Sequence, residues 1–194
     1  MSEYINNTLR YLYKKYNLNM KLIITEKQLR MIVESEKEDK GENLIDLTDA
    51  YEGGLSPDKW DGLFEHINKK KGGVYAGYYI DGDVNLSKSD VTEFKYLVKV
   101  GGHLSLDNTK IESLPMLSTV KGFLSLNNTK IESLPMLSTV KNILYLANTE
   151  IKSLPEGLEV GMSLILKNTP LSKTTTEEEL RNKIKVKDKI ILWK

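Results

Sequence analysis

Cysteine is absent from the 194 residues. That excludes a disulfide-stapled scaffold, a thiolate nucleophile and a zinc–thiolate site. Histidine is nearly absent too: His66 and His103 are the two in the chain. They lie far apart in sequence, with no HExxH, nucleophile elbow or phosphate-cradling glycine loop near either, so an acid–base site working at neutral pH is not expected. Charge is balanced, 28 Lys plus Arg against 27 Asp plus Glu. This balance gives no general attraction to nucleic acid or to an anionic membrane. No apolar run approaches the ~20 residues of a membrane span, and residues 1–20 lack the apolar stretch of a secretory leader. The expected setting is the cytoplasm, of the protein's own cell or of a host.

What the chain has in abundance is itself. Residues 104–121 (LSLDNTKIESLPMLSTVK) return at 124–141 with one change, Asp107 to Asn127, at a period of 20. Weaker copies follow from Leu144 and Leu164, and a degenerate one precedes them from Val84. A fixed period in this range marks a solenoid whose units bury their apolar face only by stacking. Reading down the copies gives the inward columns: Val84, Leu104, Leu124, Leu144, Leu164, and two residues on Leu86, Leu106, Leu126, Leu146, Leu166. These alternate with polar residues, which is strand periodicity. Further apolar columns start at Val91, Phe94 and Val100. A hydroxyl column, Ser89, Thr109, Thr129, Thr149, Thr169, stands where the chain must leave the strand, placed to bond turn backbone of its own or the next coil.

The pattern LxLxxTxIxSLP resembles the short leucine-rich repeat, and its LP pairs (114–115, 134–135, 154–155) are similar to the bacterial and phage type of about 20 residues. Threonine stands at the usual asparagine position, preceded by Asn108, Asn128, Asn148 and Asn168, and Lys121 and Lys141 replace the motif's first leucine. The resemblance implies an α/β solenoid with one parallel strand per repeat, forming a single curved sheet. Some leucine-rich-repeat effectors carry a cysteine-dependent ubiquitin ligase, which this chain cannot.

The flanks do not repeat. Residues 1–80 read as a small, mainly helical α+β capping domain, 81–173 as the solenoid and 174–194 as a C-terminal helix–strand cap. Ile5, Leu9, Leu12 and Tyr16 space a helix over 3–16, residues 22–24 a strand, and Thr25 with Gln28 a capping box opening a second helix over Leu29, Ile32 and Val33. Residues 34–42 are polar enough for a loop. Ser56 and Pro57 start a third helix carrying Trp60, Leu63, Phe64 and Ile67, whose Lys69–Lys71 end complements the helix dipole. Residues 74–80 read as a strand. Thr176 with Glu179 opens a last helix, and 189–193 (KIILW) alternate as a closing strand.

Other candidates are thin. Asp81, Gly82, Asp83 and Asn85 start like a calcium loop, but Leu86 stands where the EF-hand needs glycine and Thr92 where it needs glutamate, so a turn into a strand is expected. Met116 and Met136 read as partial core, Glu112 and Glu132 as a solvated face. No cofactor or metal is expected. The neighbours of the inward leucines point outward, so Phe123, Ile143, Tyr145 and Ile165 should cluster on the sheet's outer face among His103, Asp107 and Asn127. These seven are the expected partner-binding residues, on the concave sheet of a non-catalytic adaptor or inhibitor whose partner is another protein. Self-association through the same patch competes with this; so do a structural subunit of a virion or scaffold and a small enzyme in residues 1–75 targeted by the repeats.

Overall fold

The computed structural model describes residues 43–193; the elements expected in residues 1–42 lie outside them. Within the described residues the chain is a solenoid of stacked parallel strands about 20 residues apart. Thirteen strands form two sheets. The six-stranded sheet stacks β3 (Val84–Asn85), β5 (Leu104–Ser105), β7 (Leu124–Ser125), β9 (Leu144–Tyr145), β11 (Leu164–Ile165) and β13 (Ile190–Ile191). Each residue pairs with the one a full repeat away, Leu104 with Leu124 and Leu124 with Leu144.

The expected single strand per repeat is corrected to two. β4 (Leu97–Val100), β6 (Thr119–Val120), β8 (Thr139–Val140), β10 (Glu159–Val160) and β12 (Lys185–Val186) belong to a seven-stranded sheet begun by β1 (Leu44–Asp46) and β2 (Gly77–Ile80). The column Val100, Val120, Val140, Val160 therefore sits on strands of its own. Its β-branched residues point inward while Thr119 and Lys121 point out, and such residues suit a pleated, half-buried surface.

The inward columns hold, except that Leu86 and Leu154 are only half-buried. Leu104, Leu124, Leu144, Leu106, Leu126, Leu146, Ile111 and Ile131 are 0% exposed, and one apolar cluster runs from Ile45 to Ile190. Each such leucine contributes at most about 2–3 kcal/mol by leaving water. Met116 is half-buried as expected, but Met136 is 61% exposed; in both coils the core position is filled by the next residue, Leu117 or Leu137.

Before the first coil, β1 and β2 pair in parallel and are joined through α1 (Thr48–Glu52) and α2 (Trp60–Lys70). Ser56 does not cap: its hydroxyl donates to Asp58, and a 3-10 turn, Pro57–Lys59, leads into α2. Trp60, Leu63 and Phe64 of α2 are buried, Trp60 stacked on Phe94 at 5.1 Å. Lys69 and Lys70 occupy its last turn, favourably for the dipole. The strand expected over 74–80 is confined to Gly77–Ile80, and β1 is new.

At the other end, α3 (Pro170–Thr174) is capped by Thr169 and α4 (Glu177–Lys183) by Thr176, whose hydroxyl accepts from the Glu179 N–H while the Glu179 carboxylate accepts from the Thr176 N–H. They bring Leu171 and Leu180 into the core. The chain then adds β12 to one sheet and β13 to the other.

Candidate functional site

Three outward columns cross the six-stranded sheet. The central one is Asn85, Ser105, Ser125, Tyr145, Ile165 and Ile191, in parallel register from strand to strand. It is polar over three strands and apolar over the next three. Beside it, the His103 and Phe123 rings stack with centroids 4.1 Å apart and planes at 15°, and Phe123 meets Tyr145 edge-on at 6.2 Å. Ile143 lies on the strand next to Phe123, since its carbonyl accepts from Leu124 N at 3.0 Å. Phe123, Ile143, Tyr145 and Ile165 thus come together on three neighbouring strands, each half-buried.

His103, Asp107 and Asn127 lie on the same face, but they are not idle outward positions. His103 Nδ1 accepts from Phe123 N at 2.9 Å, Asp107 Oδ1 from Asn127 N at 2.8 Å, and Asn127 Oδ1 from Ala147 N at 2.9 Å. Asp83 does the same for His103 N at 2.7 Å. Each side chain satisfies a backbone N–H of the following coil, where the short strands no longer supply a carbonyl. Asp107 also accepts from Ser125 Oγ at 2.7 Å, which buries Ser125 to 4% exposure. Gly122 makes room for the His103 ring beside Phe123 N: a Cβ there would stand 2.2 Å from His103 Nδ1. Outward polar residues here are constrained by stacking.

Two residues of the face escaped the sequence. Ile191 continues the apolar column beside Ile165, and Trp193, 60% exposed, has the Lys167 ammonium 5.2 Å from its ring centre. Because α3 and α4 are inserted, Ile191 follows Ile165 by 26 residues rather than 20, and the columns cannot be read past Leu171 at a fixed period. The alternation of KIILW, continued from the last leucine column, was the available signal.

Charge elsewhere is arranged for stacking. Lys110 bonds Asp90 at 2.8 Å, Lys152 bonds Glu132 at 2.7 Å and Lys185 bonds Glu159 at 2.7 Å, each across one coil step. The lysine hydrogen bonds hold the Asp90 and Glu159 carboxyls below their usual range. All are exposed pairs, worth little and screened by salt. Glu112, paired to Lys130 at 3.5 Å, and Glu132 lie on this solvated side as expected. Burial, and then Asp61, push the Tyr78 hydroxyl well above its ordinary value. Among the described residues no three His, Asp or Glu side chains come together as metal ligands would. A cleft of about 470 Å³ lies between Leu154 and α4, away from the outer face. Comparison with protein-family models, with curated proteins and with solved structures found no match.

Proposed function

We propose that the protein is a non-catalytic interaction module that docks another protein on the outer face of its six-stranded sheet. The observation that carries this is the apolar cluster Phe123, Ile143, Tyr145 and Ile165, extended by Ile191 and the exposed Trp193. The core does not call for these side chains, because it is filled from the opposite side of the same strands. Apolar clusters rimmed by polar groups mark partner sites, and solenoids offer such extended faces to partners. The resemblance of LxLxxTxIxSLP to short leucine-rich repeats supports the same reading, and with it a place among bacterial or phage proteins of that type. We place its action in the cytoplasm of its own cell or a host; no described helix is long and apolar enough to cross a membrane.

The test is Phe123→Ser combined with Tyr145→Ser, assayed by quantitative capture from a lysate of the source organism. Truncating an aromatic anchor typically costs about 2 kcal/mol or more, roughly a thirtyfold loss of affinity. Partner capture should be lost while the variant keeps the parent's circular dichroism spectrum and a cooperative unfolding transition, somewhat less stable for the lost ring contacts. Capture that survives in the double variant would move the binding site off this face.

A further inference from the structure

Resting on the reading that a partner protein docks on this face, we infer that it does so with an extended segment, apolar at alternate positions, that joins the six-stranded sheet as a further strand along β13. In the inner strands of this sheet, the N–H groups of the inward residues are bonded by the coil that follows. Leu124 N and Leu126 N donate to Ile143 O and Tyr145 O at 3.0 and 2.9 Å, Leu144 N and Leu146 N to Ser163 O and Ile165 O at 3.0 and 2.9 Å, and Leu164 N and Leu166 N to Lys189 O and Ile191 O at 2.8 and 2.9 Å. Ile190 and Leu192 hold the same inward positions on β13. Their N–H and C=O groups turn away from β11, because those of a strand alternate from one edge to the other. Among the described residues nothing bonds them.

The other sheet ends at the same coil, and there the edge is closed. Val160 O and Met162 O are bonded by Lys187 N and Asp188 N at 3.1 and 3.0 Å; one coil on, the equivalent carbonyls of Val186 and Asp188 accept from Arg181 of α4, at 2.9 and 2.8 Å. At the far end of the six-stranded sheet, Asn85 N donates to the Tyr51 hydroxyl at 3.3 Å. β13 lacks such a cover, and an unpaired edge is a template for another strand. The edge is apolar on both faces. Ile190 is 7% exposed and Leu192 half-buried, where Leu144, Leu146, Leu164 and Leu166 are 0% exposed; outward, Ile191 adjoins Ile165, and Trp193 follows. A strand with apolar residues turned inward completes the cover of Ile190 and Leu192, and its outward residue extends the column Tyr145, Ile165, Ile191.

The protein's own strand register supplies the probe, a synthetic peptide of residues 142–149 (NILYLANT). In the register that β9 keeps on β7, Ile190 N–H meets the peptide's Ile143 carbonyl, Leu192 N–H meets its Tyr145 carbonyl, and its Tyr145 N–H returns to the Ile190 carbonyl. With excess peptide, the Ile190 and Leu192 amides of the full-length protein should exchange with deuterium about tenfold more slowly or better, while the Ile191 amide, already turned to β11, should not change. Methylating the peptide at Tyr145 N should abolish the protection; methylating Leu144 N, which faces away, should not. Leu192→Pro removes the edge N–H and Leu192→Ala keeps it. Capture of the partner in the preceding assay should therefore fall roughly fivefold further with proline than with alanine, both variants keeping the parent's circular dichroism spectrum. Amides that the peptide does not slow, or equal capture by the two variants, would overturn the inference. If capture is equal and yet lost in the Phe123→Ser, Tyr145→Ser variant, the face docks its partner without an added strand. A parent dimer in sedimentation that Leu192→Pro abolishes would put a second copy of the chain on this edge, and that too overturns the assignment to a partner.

Discussion

Thr129 and Asn128 turn the chain out of the six-stranded sheet by different means. The Thr129 hydroxyl, buried to 5% exposure, donates to the Leu126 carbonyl of its own coil at 2.7 Å, and Thr109, Thr149 and Thr169 repeat the bond. Thr129→Val keeps the shape but leaves that carbonyl without its donor. It should lower unfolding free energy in urea by about 1–3 kcal/mol, against about 2–5 for Leu126→Ala beside it. An unchanged midpoint in either variant would contradict the inward placement of its column. Asn128 instead takes a left-handed backbone, φ 57, and its amide donates to Asn108 while accepting from Asn148, at 3.1 and 2.7 Å. Asn128→Ala loses the ladder and strains the backbone, whereas Asn128→Gly loses only the ladder. The alanine variant should be the less stable of the two by about 1 kcal/mol in the same titration. The threonine column was legible because a hydroxyl at every twentieth residue has one evident use. The roles of His103, Asp107 and Asn127 were not: alternation shows which way a side chain points, and only the stacked coils show the N–H it meets.

At the scale of elements, the sequence displayed the six-stranded sheet and hid the seven-stranded one. Two leucines flanking one polar residue make a visible alternation, but each strand of the other sheet offers a lone valine between Thr119 and Lys121, or their equivalents. That is too short for a period to appear. β1 was hidden for the same reason, its three residues being Leu44, Ile45 and Asp46. This second sheet ties α2 to the solenoid. Tyr78 on β2 is fully buried and donates to Asp61 Oδ1 of α2 at 2.9 Å, while Asp61 Oδ2 accepts from Lys95 N at 2.8 Å. Burial and Asp61 both favour the neutral phenol, so the folded state holds this proton more tightly than the unfolded chain, whose value is near 10.0. The resulting stability is complete below that value and is lost as pH rises above it. Tyr78→Phe has no proton to hold. At pH 8 it should melt lower than the parent by the worth of one hydrogen bond, about 1 kcal/mol. Between pH 10 and 11 the gap should narrow; a gap that stays constant would place the phenol in a far more exposed setting.

For the whole molecule, the near identity of residues 104–121 and 124–141 means that two neighbouring coils present the same surfaces to whatever lies above and below. Stability in such an array is close to a sum of coil and nearest-neighbour terms. A coil can therefore be removed if it is removed whole. Deleting residues 124–143 joins Phe123 to Leu144 and leaves every inward column continuous, with Leu104 now beside Leu144. The shortened protein should keep its circular dichroism spectrum and a single cooperative transition. Its urea m-value should fall by roughly a tenth, in proportion to the chain removed. Deleting only residues 124–133 takes a strand from one sheet and leaves about half the backbone needed to circle the core. That variant should not fold. The pair separates a modular stack from a fold that depends on long-range closure, since in the latter both deletions would fail alike. The whole-coil deletion also removes Asn127 and Ile143 and brings Phe123 and Tyr145 onto the same strand. If the apolar face is the docking site of the proposed function, this variant should fold and yet bind its partner more weakly, because Ile143 is gone and Phe123 is moved onto the strand of Tyr145, as read by the same capture assay.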